Sequence, residues 1–178
     1  MTVNESFLTM DQTTGMFTRS SFEYLLKRKI ALAEECAEDV GLLLLDPDDA
    51  GTISQMDETF AGFFLKEIAA RLKGCLRAGD IVAHFEGSQF MVILDEVENH
   101  DAAPRVARKI IQVLSATYPF GEGGTELLCS VGIVRAAPFD ADETELVARA
   151  QKALLSAKAE GGNQFHYFID ALDALTRR

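Results

Sequence analysis

The residues able to do chemistry fall into a few short segments. Asp46 and Asp48 close the apolar run Gly41-Leu42-Leu43-Leu44-Leu45. Carboxylates at a strand end can hold a divalent cation, a hard ion that takes oxygen ligands, and they equally suit the start of a turn. Arg77-Ala-Gly-Asp80 follows, five residues ahead of Glu86-Gly87-Ser88-Gln89-Phe90. A guanidinium donates two parallel hydrogen bonds to a planar acceptor edge or clamps a phosphate. A carboxylate three residues on can accept from N–H donors of the same ligand. Gly87 can supply the positive φ that a hairpin turn needs. Lys158 reads, taken alone, as a solvated helix residue. The cysteines Cys36, Cys75 and Cys129 and the histidines His84, His100 and His166 show no metal-ligand spacing. The thiols therefore read as buried and reduced, and the histidines as surface or strand-edge residues.

The elements that must position these residues follow from periodicity. Ser20 and Glu23 have capping-box spacing, and Phe22, Leu25, Leu26, Ile30 and Leu32 continue a helix to about Glu38. Val40 to Asp46 reads as a strand buried on both faces, ended by Pro47, Asp48, Asp49 and Gly51. A helix follows with Phe60, Phe63, Phe64, Ile68 and Leu72 on one face. Ile81–Phe85 and Phe90–Leu94 form a hairpin around Gly87-Ser88. A helix over Ala102–Leu114, a strand over Leu127–Val134, an Ala-rich helix over Glu143–Ala159 and a strand over Gln164–Ile169 complete the chain. The order predicts an α/β (α+β) fold, with a central mixed, largely antiparallel sheet of about five strands flanked by helices.

The 178 residues suit one domain. Its expected extent is 11–170, after a flexible segment over 1–10 and before a tail over 171–178. A net charge of −11 argues against non-specific nucleic-acid or anionic-membrane binding. It leaves room for a small anionic ligand held by a few placed cations. No apolar run reaches membrane-spanning length, and the first residues lack a secretory pattern. A cytoplasmic domain, or the cytoplasmic piece of something larger, is expected.

Several of these segments resemble one family. Asp11-Gln-Thr-Thr14-Gly15-Met16-Phe17-Thr18-Arg19 is similar to Asp-x-Leu-Thr-Gly-Leu-x-Asn-Arg, the opening signature of GGDEF domains, the diguanylate cyclases. Leu42 to Asp48 resembles the following strand, which ends Leu-Asp-x-Asp. Glu86-Gly87-Ser88-Gln89-Phe90 falls where the Gly-Gly-Asp/Glu-Glu-Phe hairpin belongs. Ser130-Val-Gly132 resembles Ser-x-Gly, and Ala157-Lys158-Ala-Glu-Gly161-Gly162-Asn163 the closing Ala-Lys-x-x-Gly-Arg-Asn. Several motifs in order are far more specific than one. The resemblance runs from about Met10 to Phe168 and implies the nucleotide-cyclase-like fold of that family.

That family joins two GTP molecules into cyclic di-GMP, a phosphoryl transfer that needs metal and phosphate positioning. The resemblance implies that much of this equipment is gone. Ser88 replaces the hairpin's metal-holding acid, so Asp46 and Asp48 read as vestigial. Gln89 replaces the acid linked to hydroxyl activation. Glu86 replaces the first glycine and is expected to face the triphosphate. Ala50-Gly51 stands for Phe-Lys, Ser54 for a guanine-reading Asn, Phe63 for a guanine-pairing Asp and Gly162 for an arginine. Phe60, Phe63 and Phe64 are expected to extend the core instead. The expectation is a catalytically inactive domain that requires no cofactor. Arg77 and Asp80 match the Arg-x-x-Asp site at which family members bind their product, with Arg108 or Lys109 as a second cation. Cyclic di-GMP is the implied ligand, and a protein partner or a homodimer the implied output. The alternative is a nucleotide-independent interaction and dimerisation module; a weaker third is GTP binding without turnover.

Overall fold

The computed structural model describes residues 8–48, 57–95, 97, 101–119, 124 and 126–169. Along them run α1 (Arg19–Cys36), β1 (Val40–Pro47), α2 (Glu58–Cys75), β2 (Ile81–Glu86), β3 (Gln89–Leu94), α3 (Ala102–Leu114), β4 (Cys129–Ala136), α4 (Glu143–Ala159) and β5 (Phe165–Tyr167). The sheet order is β2-β3-β1-β4-β5. Every pairing is antiparallel except β4 with β5. The mixed, largely antiparallel sheet expected from the sequence is therefore the one formed.

β1 is central because it has no polar face to turn to water. All of its residues are buried. Leu43 and Leu45 pack with Phe64, Ile68 and Leu72 of α2 and Ala107 and Ile110 of α3. Leu42 and Leu44 point the other way, onto Phe22 and Leu26 of α1 and Leu146, Ala150 and Leu154 of α4. Strand alternation thus divides the core into two layers, one on each side of the sheet.

Several boundaries differ from expectation for local reasons. The α1 cap is Thr18, not Ser20: Thr18 is extended, and its side chain accepts from the Ser21 backbone N–H. Glu23 instead pairs with Arg19 one turn back, at 2.9 Å. Phe60 and Phe63 do not extend the core, being 44% and 54% exposed, while Phe64 is buried and stacks on Tyr118. The buried stripe of α2 begins at Phe64 and runs through Ile68 and Leu72. Of the thiols, Cys75 and Cys129 are buried and Cys36 is exposed. β4 starts two residues later than expected and β5 is shorter at both ends.

The start of the described chain is tied to the sheet. Met10 bridges Phe17, and Phe17 bridges Ala83 on β2. Asp11 closes the turn between them: its Oδ1 accepts from the Thr14 backbone N–H at 2.8 Å and from the Thr14 hydroxyl at 2.7 Å. His84 lies beside it, Nδ1 3.4 Å from Asp11 Oδ1, while Nε2 is 2.8 Å from the Gly87 carbonyl of the hairpin turn. Burial opposes ionisation of Asp11, but the Thr14 bonds and His84 outweigh it and hold the carboxyl below its ordinary range. A depressed folded value means stability that is present above the unfolded pKa and lost as pH falls through the folded one. Asp11→Asn is therefore expected to cost about 1 kcal/mol at pH 7. In urea titrations the gap to wild type should close as pH drops below the usual carboxylate range.

Candidate functional site

Two clusters contain the residues singled out in the sequence. The first surrounds Asp46, at the end of β1 and only 6% exposed. The Ser88 hydroxyl donates to its Oδ1 at 2.6 Å. Lys158 reaches across from the last turn of α4 to donate to Oδ2 at 2.7 Å and to the Pro47 carbonyl at 3.2 Å. The Gln89 amide adds a longer contact to Oδ2 at 3.4 Å. Lys158 is thus not a solvated helix residue but the counter-ion of a buried carboxylate. Nor does Asp46 open a turn, since it is a paired strand residue opposite Ser130.

This donor set is poorer in carboxylates than a divalent metal prefers. Around Asp46 stand a hydroxyl, an amide and an ammonium, and the ammonium competes with any ion for the carboxylate; Asp48 Oδ1, two residues on, is buried with no hydrogen-bond partner. Among the described residues, no group of three or more His, Cys, Asp or Glu side chains could hold a metal ion. Asp48 is turned to a structural task. Its Oδ2 accepts from the Asn163 backbone N–H at 2.6 Å, fixing the turn between α4 and β5. Gly162 has a positive φ of 72°, and a Cβ there would lie 2.8 Å from Asp48 Oδ2. The positive φ favours a glycine here, and a side chain would have to displace the Asp48 carboxylate.

The hairpin turn itself is as expected, with Gly87 at φ 56° and Glu86 paired with Gln89. Glu86 has a partner that the sequence did not suggest. Its carboxylate does not face an open pocket as a bare charge: Arg19 Nη1 reaches its Oε2 at 3.2 Å. The same guanidinium lies 4.4 Å from the Phe85 ring centroid. Ala50, Gly51, Ser54 and His100 lie outside the described residues.

The second cluster is built on the tight turn between α2 and β2. The Asp80 backbone N–H donates to the Arg77 carbonyl at 3.1 Å, and Asp80 Oδ2 accepts from the Arg77 backbone N–H at 3.0 Å. Asp80 Oδ1 accepts from the Asp95 backbone N–H at 3.1 Å, pinning the end of β3. Each oxygen keeps a second lone-pair direction, so Asp80 orders the turn and remains an acceptor. A Cβ at Gly79 would meet Asp95 Oδ2 at 2.2 Å, so a side chain there would have to displace the Asp95 carboxylate.

A pocket of about 190 Å³ opens beside this turn, lined by Arg77 and Asp80 and, from α3, by Arg105 and Lys109. Of the two cations left open by the sequence, Lys109 lines this pocket. Arg108 faces the other way, its guanidinium 5.3 Å from the Phe165 ring centroid. Arg105 was not singled out from the sequence. The signal was available, because Arg105 and Lys109 are four apart and share a helix face. At the pocket wall burial pushes the Cys75 thiol up, and nearby Lys109 only partly offsets this.

Comparison with known proteins agrees with the fold. The family model for the diguanylate cyclase GGDEF domain matches residues 8–164. Diguanylate cyclase TpbB of Pseudomonas aeruginosa is 33% identical over 116 residues, 65% of this chain and 27% of that protein. Cyclic di-GMP phosphodiesterase PdeR of Escherichia coli is 25% identical over 164 residues, 92% of this chain and 24% of PdeR. The chain therefore spans about a quarter of the length of such relatives. The isolated GGDEF domain of TpbB superposes with a TM-score of 0.85 at 24% identity, covering 96% of this chain and 100% of that one. The GGDEF domain of DgcB from Caulobacter crescentus, solved in complex with c-di-GMP, gives 0.81 at 20% identity, covering 89% and 95%. The family match takes in Asp46, Arg77, Asp80, Ser88, Arg105, Lys109 and Lys158, and the chain belongs to the GGDEF domain family.

Proposed function

We propose that this domain is a receptor for cyclic di-GMP that does not condense GTP and that passes the ligand's presence to a protein partner. The observation that carries it is the clustering of Arg77, Arg105 and Lys109 around Asp80 in one pocket. In a chain of net charge −11, three cations in one pocket mark a place for an anion. Cyclic di-GMP supplies two phosphates for the cations and guanine edges for an arginine fork and a carboxylate. Loss of turnover rests on Asp46. With Ser88 and Lys158 on its two oxygens, it has no charge left over for the metal that phosphoryl transfer needs. Gln89 cannot accept a proton at neutral pH.

Calorimetry with cyclic di-GMP tests the reading. Wild type should bind, and Arg77→Ala should weaken binding about 10- to 100-fold, the loss of hydrogen bonds to a charged group. Arg108→Ala should leave affinity unchanged. Incubation with GTP at saturating Mg²⁺ should yield no cyclic di-GMP. A wild-type protein that gives no heat with the ligand would sink the receptor, and product formation would sink the loss of catalysis. The exposed rings of Phe60 and Phe63 favour a second reading, a nucleotide-independent interaction module. That reading takes over if ligand binding is absent while Phe63→Ser disrupts an assembly seen by sedimentation.

A further inference from the structure

The turn Arg77–Asp80 has two sides, and the cationic pocket occupies only one. On the other side is a groove of about 430 Å³ that shares Arg77 and Asp80 with it. One wall of the groove is the bridged N-terminal strand pair, which supplies Met10, Met16 and Phe17. The other is the junction of α2 and β2, which supplies Lys73, Leu76 and Val82. The lining is mainly apolar, with Lys73, Arg77 and Asp80 as its charged residues, and Lys73 Nζ donates to the Gly15 carbonyl at 3.3 Å. The cationic pocket, at about 190 Å³, is small beside the roughly 300–1,000 Å³ typical of ligand sites. Joined to the groove it comes within that range.

We propose that the groove is a second subsite of the same ligand site, taking one purine base of the cyclic dinucleotide while Arg77 holds a phosphate at the junction. This inference rests on the receptor reading and adds to it where the second base goes. A purine needs a flat apolar face more than it needs charge. Met10 provides a polarizable thioether suited to an aromatic ring, while Met16, only 2% exposed, forms the floor beneath. Met10 is 51% exposed, so its apolar side chain is open to a ligand. The negative sugar–phosphate ring then crosses the turn between Lys73 and Arg77 on one side and Arg105 and Lys109 on the other. Charge and apolar surface are divided as the ligand divides them.

The test uses variants that touch the groove and not the cationic pocket. Met10→Ala removes a wall, and Ala78→Leu narrows the groove from an exposed position. Neither residue belongs to the core, and matching thermal melts would confirm that both variants fold. In calorimetry with cyclic di-GMP, each should bind at least threefold more weakly than wild type. A drop of that size in either variant supports the subsite. If both stay within threefold of wild type while Arg77→Ala weakens binding about 10- to 100-fold, the groove subsite is overturned and the receptor reading stands. If the wild type does not bind at all, the receptor reading fails and the subsite with it.

Discussion

Replacing Lys158 with methionine should lower the stability of this domain by about 3 kcal/mol in urea unfolding at pH 7. The stem is nearly the same length, so packing against α4 changes little and the loss is that of the ammonium. Asp46 would then be left with only the Ser88 hydroxyl and the distant Gln89 amide. Its side chain is 8% exposed, and water cannot replace what is lost. The figure is at the low end for breaking a buried pair because the Lys158 side chain keeps 27% of its surface exposed. The decisive control is the double variant Asp46→Asn with Lys158→Met. Asparagine retains an acceptor for Ser88 and carries no charge, so most of the loss should be recovered. A cycle showing no coupling between the two positions would refute the internal counter-ion. The same arrangement predicts that millimolar Mg²⁺ leaves the wild-type melting temperature unchanged. A ligand that bound only the folded state would raise it.

This pair also shows where sequence reasoning stopped. The strands and helices were legible because their signals are local. The run from Leu42 to Leu45 can only be buried on both faces, and the stripe of Phe64, Ile68 and Leu72 has the helical period. The Thr18 cap was missed because Ser20 and Glu23 offered an equally good spacing, and only the extended backbone at Thr18 decides between them. Phe60 and Phe63 were misplaced because periodicity says which face is apolar, not where along a helix the sheet begins to cover it. The partnership of Lys158 with Asp46 spans 112 positions, and no local pattern encodes it. Arg105 was within reach, being one turn before Lys109 on the same helix. The pairing of Glu86 with Arg19 was not, because a helix start and a hairpin turn meet only in the folded sheet.

Gly132→Ala should destabilise the protein by about 3 kcal/mol or more, the upper range for overpacking. Gly132 lies within β4, opposite Leu44 of β1. A Cβ built on it would stand 2.3 Å from the Ala150 carbonyl oxygen and 2.5 Å from the Leu154 nitrogen. Both are backbone atoms of α4, so no rotamer change relieves the overlap and the helix must move as a body. The packed face of α4 is made small to permit this approach, with Ala150, Ala153 and Ala157 all buried. Moving α4 would also draw Lys158 away from Asp46, which couples the strand glycine to the charged site. Gly74→Ala provides a comparison with the same chemistry and the opposite sign. It lies inside α2, and a Cβ there meets nothing within 4 Å. Relief of the glycine penalty in a helix should stabilise by about 0.5–1 kcal/mol. The chain has no tryptophan, so far-UV circular dichroism in urea is the suitable probe for both variants. Equal and small effects would mean that α4 does not rest on the β4 backbone at Gly132. A large loss confined to Gly132→Ala would establish that contact as the one setting the height of α4, and with it the reach of Lys158.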